Sequence, residues 1–265
     1  TLANGRVAQL QVNNKLNVLN FGLPGSDISL TTEISLNSGR STKYYLDGSH
    51  VALTMVDVTT SNVHLDLTGS EIDCTNLAYD KSSGGGGAWL AFKGSVIHNT
   101  SAAASIVAGV KVVALTSVGG AAVGDIVRLH STEVDYNNGT AISYKVDINR
   151  IAAIDSLNVT LDYPILRAWD DAAHPISAEI IRPIINCSVI GGTITGGGLT
   201  ESPLSNGRGQ QAFFFYGVVN ASVKKSIVKN MYANAMSTER CINVVFEGNE
   251  IIGRDYNVVI VEGVN

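Results

Sequence analysis

The sequence predicts an all-β chain wound as a parallel β-helix, a solenoid in which each coil buries its apolar face against the next. Three observations carry this. A bent pattern recurs without a gap as Val189-Ile-Gly-Gly-Thr-Ile194-Thr-Gly196, Val223-Lys-Lys-Ser-Ile-Val228-Lys-Asn230 and Phe246-Glu-Gly-Asn-Glu-Ile251-Ile-Gly253. The copies begin 34 residues apart (189 to 223) and then 23 apart (223 to 246), a period typical of solenoids. The composition agrees: 45% of the 265 residues are hydrophobic and 15% charged, with 27 Gly and 5 Pro. Runs of Val, Ile, Thr, Ser and Asn favour strands and turns over helices.

The pattern dictates its own geometry. Cys187, Ala221 and Val244 stand two residues before the opening apolar positions, so the apolar period is that of a strand with one buried face. The buried face resumes five residues on, an odd offset that unbroken alternation cannot give, so a bend lies between. Gly191-Gly192 and Gly248-Asn249 tolerate the positive φ such a bend needs; Lys225-Ser226 is the poorest match. The tight hairpin dipeptides of an antiparallel sandwich are mostly missing.

Taken in order, residues 1–50 form an entry or connector segment, polar and Asn-rich at first, with a turn at Phe21-Gly-Leu-Pro-Gly-Ser26. The solenoid is expected over 51–265. Val63, Leu65 and Leu67 alternate inward, with His64 and Asp66 outward. Leu67-Thr-Gly-Ser-Glu-Ile72-Asp-Cys74 reads as a fourth copy of the bent pattern, which puts Glu71 and Asp73 on an outer face, as solvated charges or part of a groove. Ser82-Ser-Gly-Gly-Gly-Gly87 is an excursion. Residues 110–165, with a turn at Asn137-Asn-Gly139, form either a small inserted β subdomain or irregular coils. Val258-Val-Ile-Val261 is a last strand without a capping element, which points to a fragment whose further coils are missing. The residues before Thr1 are expected to be missing too, since there is no initiator Met.

Several function classes are excluded or disfavoured. The net charge is −5 and no basic stripe appears, which argues against nucleic acid as the main partner. No apolar run approaches the roughly 20 residues of a membrane span. Cys74, Cys187 and Cys241 form neither a disulfide framework nor a zinc pattern and read as small core hydrophobes. Asp170, Asp171 and His174 lack a metal signature, and no cofactor or nucleotide motif is present.

The runs Asn186-Cys-Ser-Val-Ile-Gly-Gly-Thr-Ile-Thr-Gly-Gly197 and Asn243-Val-Val-Phe-Glu-Gly-Asn-Glu-Ile-Ile-Gly253 resemble coils of pectate-lyase-like right-handed β-helices. Val112-Val-Ala-Leu-Thr116 and Val123-Gly-Asp-Ile-Val-Arg-Leu-His-Ser131 resemble a stretch that precedes the helix in many bacteriophage tailspikes. The resemblance covers roughly residues 50–265. It implies a capsular polysaccharide depolymerase: a homotrimer on the virion tail that binds and cleaves a bacterial surface polysaccharide, as hydrolase or lyase, without a cofactor. A secreted pectate lyase fits less well, because the calcium-binding Asp cluster of that group is not visible.

Hydrolysis of a glycosidic bond needs two carboxylates, and elimination needs a base beside a cation that steadies the anion. The richest loop, Leu199-Thr-Glu-Ser-Pro-Leu-Ser-Asn-Gly-Arg-Gly-Gln210, explains the longer repeat spacing and carries Glu201 and Arg208. One coil on, Glu239 and Arg240 lie between repeats, and Asp255 and Tyr256 follow the next. Glu239, Asp255 and Glu201 are therefore the candidate catalytic acids. Arg208, Arg240, Tyr256, Tyr232 and Trp169 are the candidate sugar contacts, against the plainer reading of solvated turn charges and core rings. A non-catalytic carbohydrate-binding fibre or adhesin module remains open.

Overall fold

The computed structural model describes residues 15–17, 42–46, 48–52, 55–77, 87–137, 142–197, 210–231, 234–253 and 259–262. The described residues contain no helix. They divide into two compact units, the first built from Thr1–Lys93, Ile184–Glu239 and Asn243–Val261, the second from Gly94–Pro183, Arg240–Ile242 and Glu262–Asn265.

The first unit is a parallel β-helix with three sheets, and the chain visits the sheets in the same order on every coil. Strand β1 (Lys15–Asn17) precedes a coil of β2 (Thr42–Tyr45), β3 (Gly48–Val51) and β4 (Val56–Val58). The next coil is β5 (Val63–Asp66), β6 (Ser70–Asp73) and β7 (Gly87–Lys93). Strands β8 to β13 belong to the second unit. The solenoid resumes with β14 (Ile184–Ile190), β15 (Thr193–Thr195) and β16 (Gln210–Tyr216). Then come β17 (Val218–Lys224), β18 (Ile227–Lys229) and β19 (Met236–Glu239), and finally β20 (Ile242–Glu247), β21 (Glu250–Ile252) and β22 (Val259–Glu262). The sheets run β1-β2-β5-β14-β17-β20, β3-β6-β15-β18-β21 and β4-β7-β16-β19-β22. They are called sheets A, B and C below.

The recurring apolar positions form interior rows. Val189 pairs with Val223 and Cys187 with Ala221, all buried, while Ile194, Val228 and Ile251 are in register on sheet B. Phe246 is half-buried, its ring edge-on to Phe215 at 6.0 Å. Sheet C supplies the largest rings. Phe92 stacks on Phe215 with centroids 4.9 Å apart, and Phe213, Phe214 and Phe215 are all buried. The three cysteines are free and buried, and burial pushes the Cys187 thiol up to about 11.

One alignment needs correction. Ile72 is in register with Ile194, but Val189 pairs with Leu65, not Leu67. The bend between β5 and β6 is two residues longer than its successors, and Leu67-Thr68 bulge beneath the next coil. This explains Gly191-Gly192: a Cβ on Gly192 would lie 2.7 Å from the Leu67 Cβ, and one on Gly191 2.8 Å from the Thr68 Cα.

The bends at Gly191, Lys225 and Gly248 share a left-handed backbone, with φ of 71, 56 and 62°. Lys225 adopts it despite its side chain, because Asn249 ties the turn: it accepts the Ser226 N–H at 2.9 Å and donates to the Val223 carbonyl at 2.9 Å. A left-handed L-residue costs about 1–2 kcal/mol, so Lys225→Gly is expected to raise stability by about 1 kcal/mol. Denaturant unfolding checks this; no gain over the wild type would mean the turn is not strained.

The second unit is antiparallel. Its strands are β8 (Ser95–Ser101), β9 (Val112–Ala114), β10 (Ile126–Asn137), β11 (Ile142–Asp155), β12 (Asn158–Leu161) and β13 (Ser177–Arg182). They pair in the order β8-β13-β10-β11-β12-β9, and an antiparallel bridge between Ala102 and Leu115 joins the two ends. The sheet thus closes into a small barrel, which removes its open edges. Leu115, Leu129, Ile151, Leu161, Ile180 and Trp169 are among the side chains filling it.

Candidate functional site

An outward-facing groove on sheet B brings ionisable groups from three coils together. In a parallel stack, residues that share a register position form rows across the strands, spaced about 4.8 Å apart. One row runs Ser49, Glu71, Thr193, Ile227, Glu250. The row beside it runs Val51, Asp73, Thr195, Lys229, Ile252. Alternation sends Ile72, Ile194 and Val228 inward between these rows, so their neighbours in sequence face out. The groove has a volume of about 460 Å³, and its lining includes Ser49, Glu71, Asp73, Thr193, Thr195 and Lys229.

Glu71 and Asp73 are two residues apart on one strand and point the same way, so their side chains leave the sheet about 6.6 Å apart. Both are exposed. Asp73 Oδ1 accepts the Thr75 N–H at 2.9 Å, which orients its carboxylate at the end of β6. Glu71 is the freer of the two, with the Ser49 hydroxyl 3.5 Å from its Oε2. Lys229 stands two strands from Asp73 in the same row, with Thr195 between them. Among the described residues it forms no ion pair.

Glu239 ends β19, half-buried, in register with Tyr216, which in turn neighbours Lys93. Lys93 is tied to Asp57 at 2.8 Å. Glu201, Arg208, Tyr232, Asp255 and Tyr256 lie outside the described residues. The connections that carry them, β15 to β16, β18 to β19 and β21 to β22, all run from sheet B to sheet C.

In the second unit, the Arg240 guanidinium is 3.3 Å from Glu179, which also meets Arg128 at 3.3 Å. All three side chains are largely buried, so Arg240 is committed to a structural ion cluster rather than presented to a sugar. Trp169 is 3% exposed and belongs to the barrel core, with the Lys145 ammonium 4.9 Å from its ring centre. Its ring is packing and a cation–π partner, not a free stacking platform. Asp170 and Asp171 accept backbone N–H groups of Ala172 and Ile176, at 3.1 and 2.9 Å, which accounts for both as loop caps.

On sheet A, Glu247 pairs with Lys224 at 2.6 Å, and this exposed contact holds the Glu247 carboxyl below its ordinary range. His64 faces outward and meets the Ser188 hydroxyl at 2.8 Å; burial, then the charge of Lys43, lowers its pKa. Neither pair opens onto the sheet B groove.

Reading the sequence alone placed Glu71 and Asp73 on an outer face but did not connect them with Thr193, Thr195 and Lys229. The signal was present: each is one residue from a repeating apolar position.

No family model and no curated protein matches the chain. Solved structures do. The tailspike gp49 of Pseudomonas phage LKA1 superposes with a TM-score of 0.58 at 14% identity, over 90% of this chain and 44% of that one. The tailspike gp61 of Pseudomonas phage phi297 gives 0.59 at 10%, over 96% and 52%. The gp54 tailspike of Acinetobacter baumannii bacteriophage AP22, solved with A. baumannii capsular saccharide, gives 0.55 at 13%, over 91% and 44%. The likeness is one of fold, and the chain spans about half the length of these tailspikes.

Proposed function

We propose that the chain is part of a phage tailspike that binds a bacterial surface polysaccharide and cleaves it by hydrolysis, with Glu71 and Asp73 as the acid pair. The observation that carries this is the groove on sheet B, where two carboxylates on one strand face an open cleft rimmed by hydroxyls. Side chains departing about 6.6 Å apart have the reach to set their carboxyl groups at the wider, inverting separation, which leaves room for a water between the base and the sugar. Asp73, fixed by the Thr75 N–H, suits the base that activates this water. Glu71, in the neighbouring row and held only by the long contact from the Ser49 hydroxyl among the described residues, suits the acid that protonates the leaving oxygen.

Elimination is the poorer reading of the same groove. It requires a cation on the carboxylate of the sugar that loses its proton, next to the base. The backbone positions of Lys229 and Asp73 are two strand spacings, about 9–10 Å, apart, and Lys229 forms no ion pair with either acid.

The test is incubation with a panel of purified bacterial capsules, following reducing ends and the ultraviolet absorbance of unsaturated sugars. Hydrolysis releases reducing ends without that absorbance. An absorbing product would replace hydrolysis by elimination, and binding without any chain shortening would make this a carbohydrate-binding module. The assembly expected on the virion tail is a homotrimer, which light scattering checks.

A further inference from the structure

Charge is unevenly placed along the sheet B groove. The two carboxylates sit on β6, and the groove's ammonium, Lys229, sits on β18, with the hydroxyls of Thr193 and Thr195 on β15 between them. Lys229 is half-buried, flanked in its row by Thr195 and Ile252, and it forms no ion pair among the described residues. Elsewhere on the solenoid, Lys224 of sheet A and Lys93 of sheet C each hold a carboxylate, Glu247 and Asp57. A partly desolvated ammonium in a cleft, without a counter-ion among the described residues, favours an external one.

We infer that Lys229 makes the groove selective for an acidic polysaccharide, holding a sugar carboxylate a residue or two from the bond that Glu71 and Asp73 cleave. This rests on the reading of the groove as the cleavage site. A carboxylate at the β6 end would face two like charges, whereas at the β18 end it meets a cation and the Thr195 hydroxyl. The acidic sugar is therefore placed away from the scissile bond and fixes the register of the chain in the groove. Lys229 is a specificity-determining residue here and takes no part in proton transfer.

The probe is an array of purified bacterial capsular polysaccharides, each immobilised in its native form and after reduction of its carboxyl groups to alcohols. Binding is measured with the Asp73→Asn protein, so that bound chains are not cut, and with the Asp73→Asn/Lys229→Met double variant. The expected result is retention confined to carboxylate-bearing polysaccharides. Retention should fall about tenfold or more on carboxyl reduction, and by a similar factor in the double variant, whose binding no longer responds to reduction. Retention of neutral polysaccharides as strong as that of acidic ones would overturn the inference, as would native binding unchanged by Lys229→Met. Continued depolymerisation by Asp73→Asn would instead overturn the assignment of the acids. The two failures are read from separate signals, chain length and retention.

Discussion

Asp73→Asn is expected to lower polysaccharide cleavage at least about a hundredfold while leaving binding measurable, and Glu71→Gln to do the same. Each amide keeps the shape of its acid but cannot take or give the proton. Both residues are exposed on the outer face of β6, and their substitution removes no core packing. The loss therefore belongs to chemistry and not to folding, which a melting curve alongside the assay verifies. Glu239→Gln is the informative comparison. If cleavage collapses in that variant and survives in Asp73→Asn, the acids are Glu239 at the end of β19 and a partner, Asp255 or Glu201. If it collapses only in the β6 variants, the groove on sheet B is the reaction centre.

The largest effect on stability is expected from Phe215→Ala, a loss of about 3–5 kcal/mol in denaturant unfolding. Phe215 is fully buried between two other rings, flat on Phe92 from the preceding coil and edge-on to Phe246 from the coil after next. Aromatic pairs in these arrangements add to the stabilisation from burial alone. Truncation leaves a cavity between coils that stacked, hydrogen-bonded strands cannot collapse to fill. A loss near 1 kcal/mol would show that the coils slide together after all.

The bent repeat was legible because burial imposes it on every coil, and its strands, bends and interior rows follow from it. The misplacement of Leu67 has a physical cause: both Leu65 and Leu67 are buried, so hydrophobicity cannot choose between them. Another residue could have chosen. Asn62, Asn186, Asn220 and Asn243 each stand three positions before the residue that opens a coil, Leu65, Val189, Val223 and Phe246, and all four are left-handed, with φ from 57 to 62°. They bond along the stack, Asn186 to Asn62 at 3.3 Å and Asn243 to Asn220 at 2.8 Å. Asn tolerates this backbone and carries both a donor and an acceptor, so it marks the turn more sharply than a buried Leu does. The groove was harder to see. Glu71 and Lys229 come to line one cleft only through coil-on-coil register, and the candidate acids on connections were chosen for their charge without that register. Trp169 and Arg240 looked like ligand contacts because a lone Trp and Arg between strands carry no sequence mark of burial.

The barrel enters and leaves through strands that lie side by side, since Ser95 on β8 pairs with Arg182 on β13. This bears on how quickly the solenoid can form. Joining β6 to β15 brings Ile72 against Ile194, a contact that is distant along the chain and would carry a large loop-closure entropy if the intervening residues were a random coil. Once the barrel has folded, its paired ends hold the two flanking segments a strand's width apart, and the chain left to be closed is short. A barrel that folds first would therefore lower the entropic barrier to stacking β14 on β5, and the unit that interrupts the solenoid in sequence would shorten its path to the folded state.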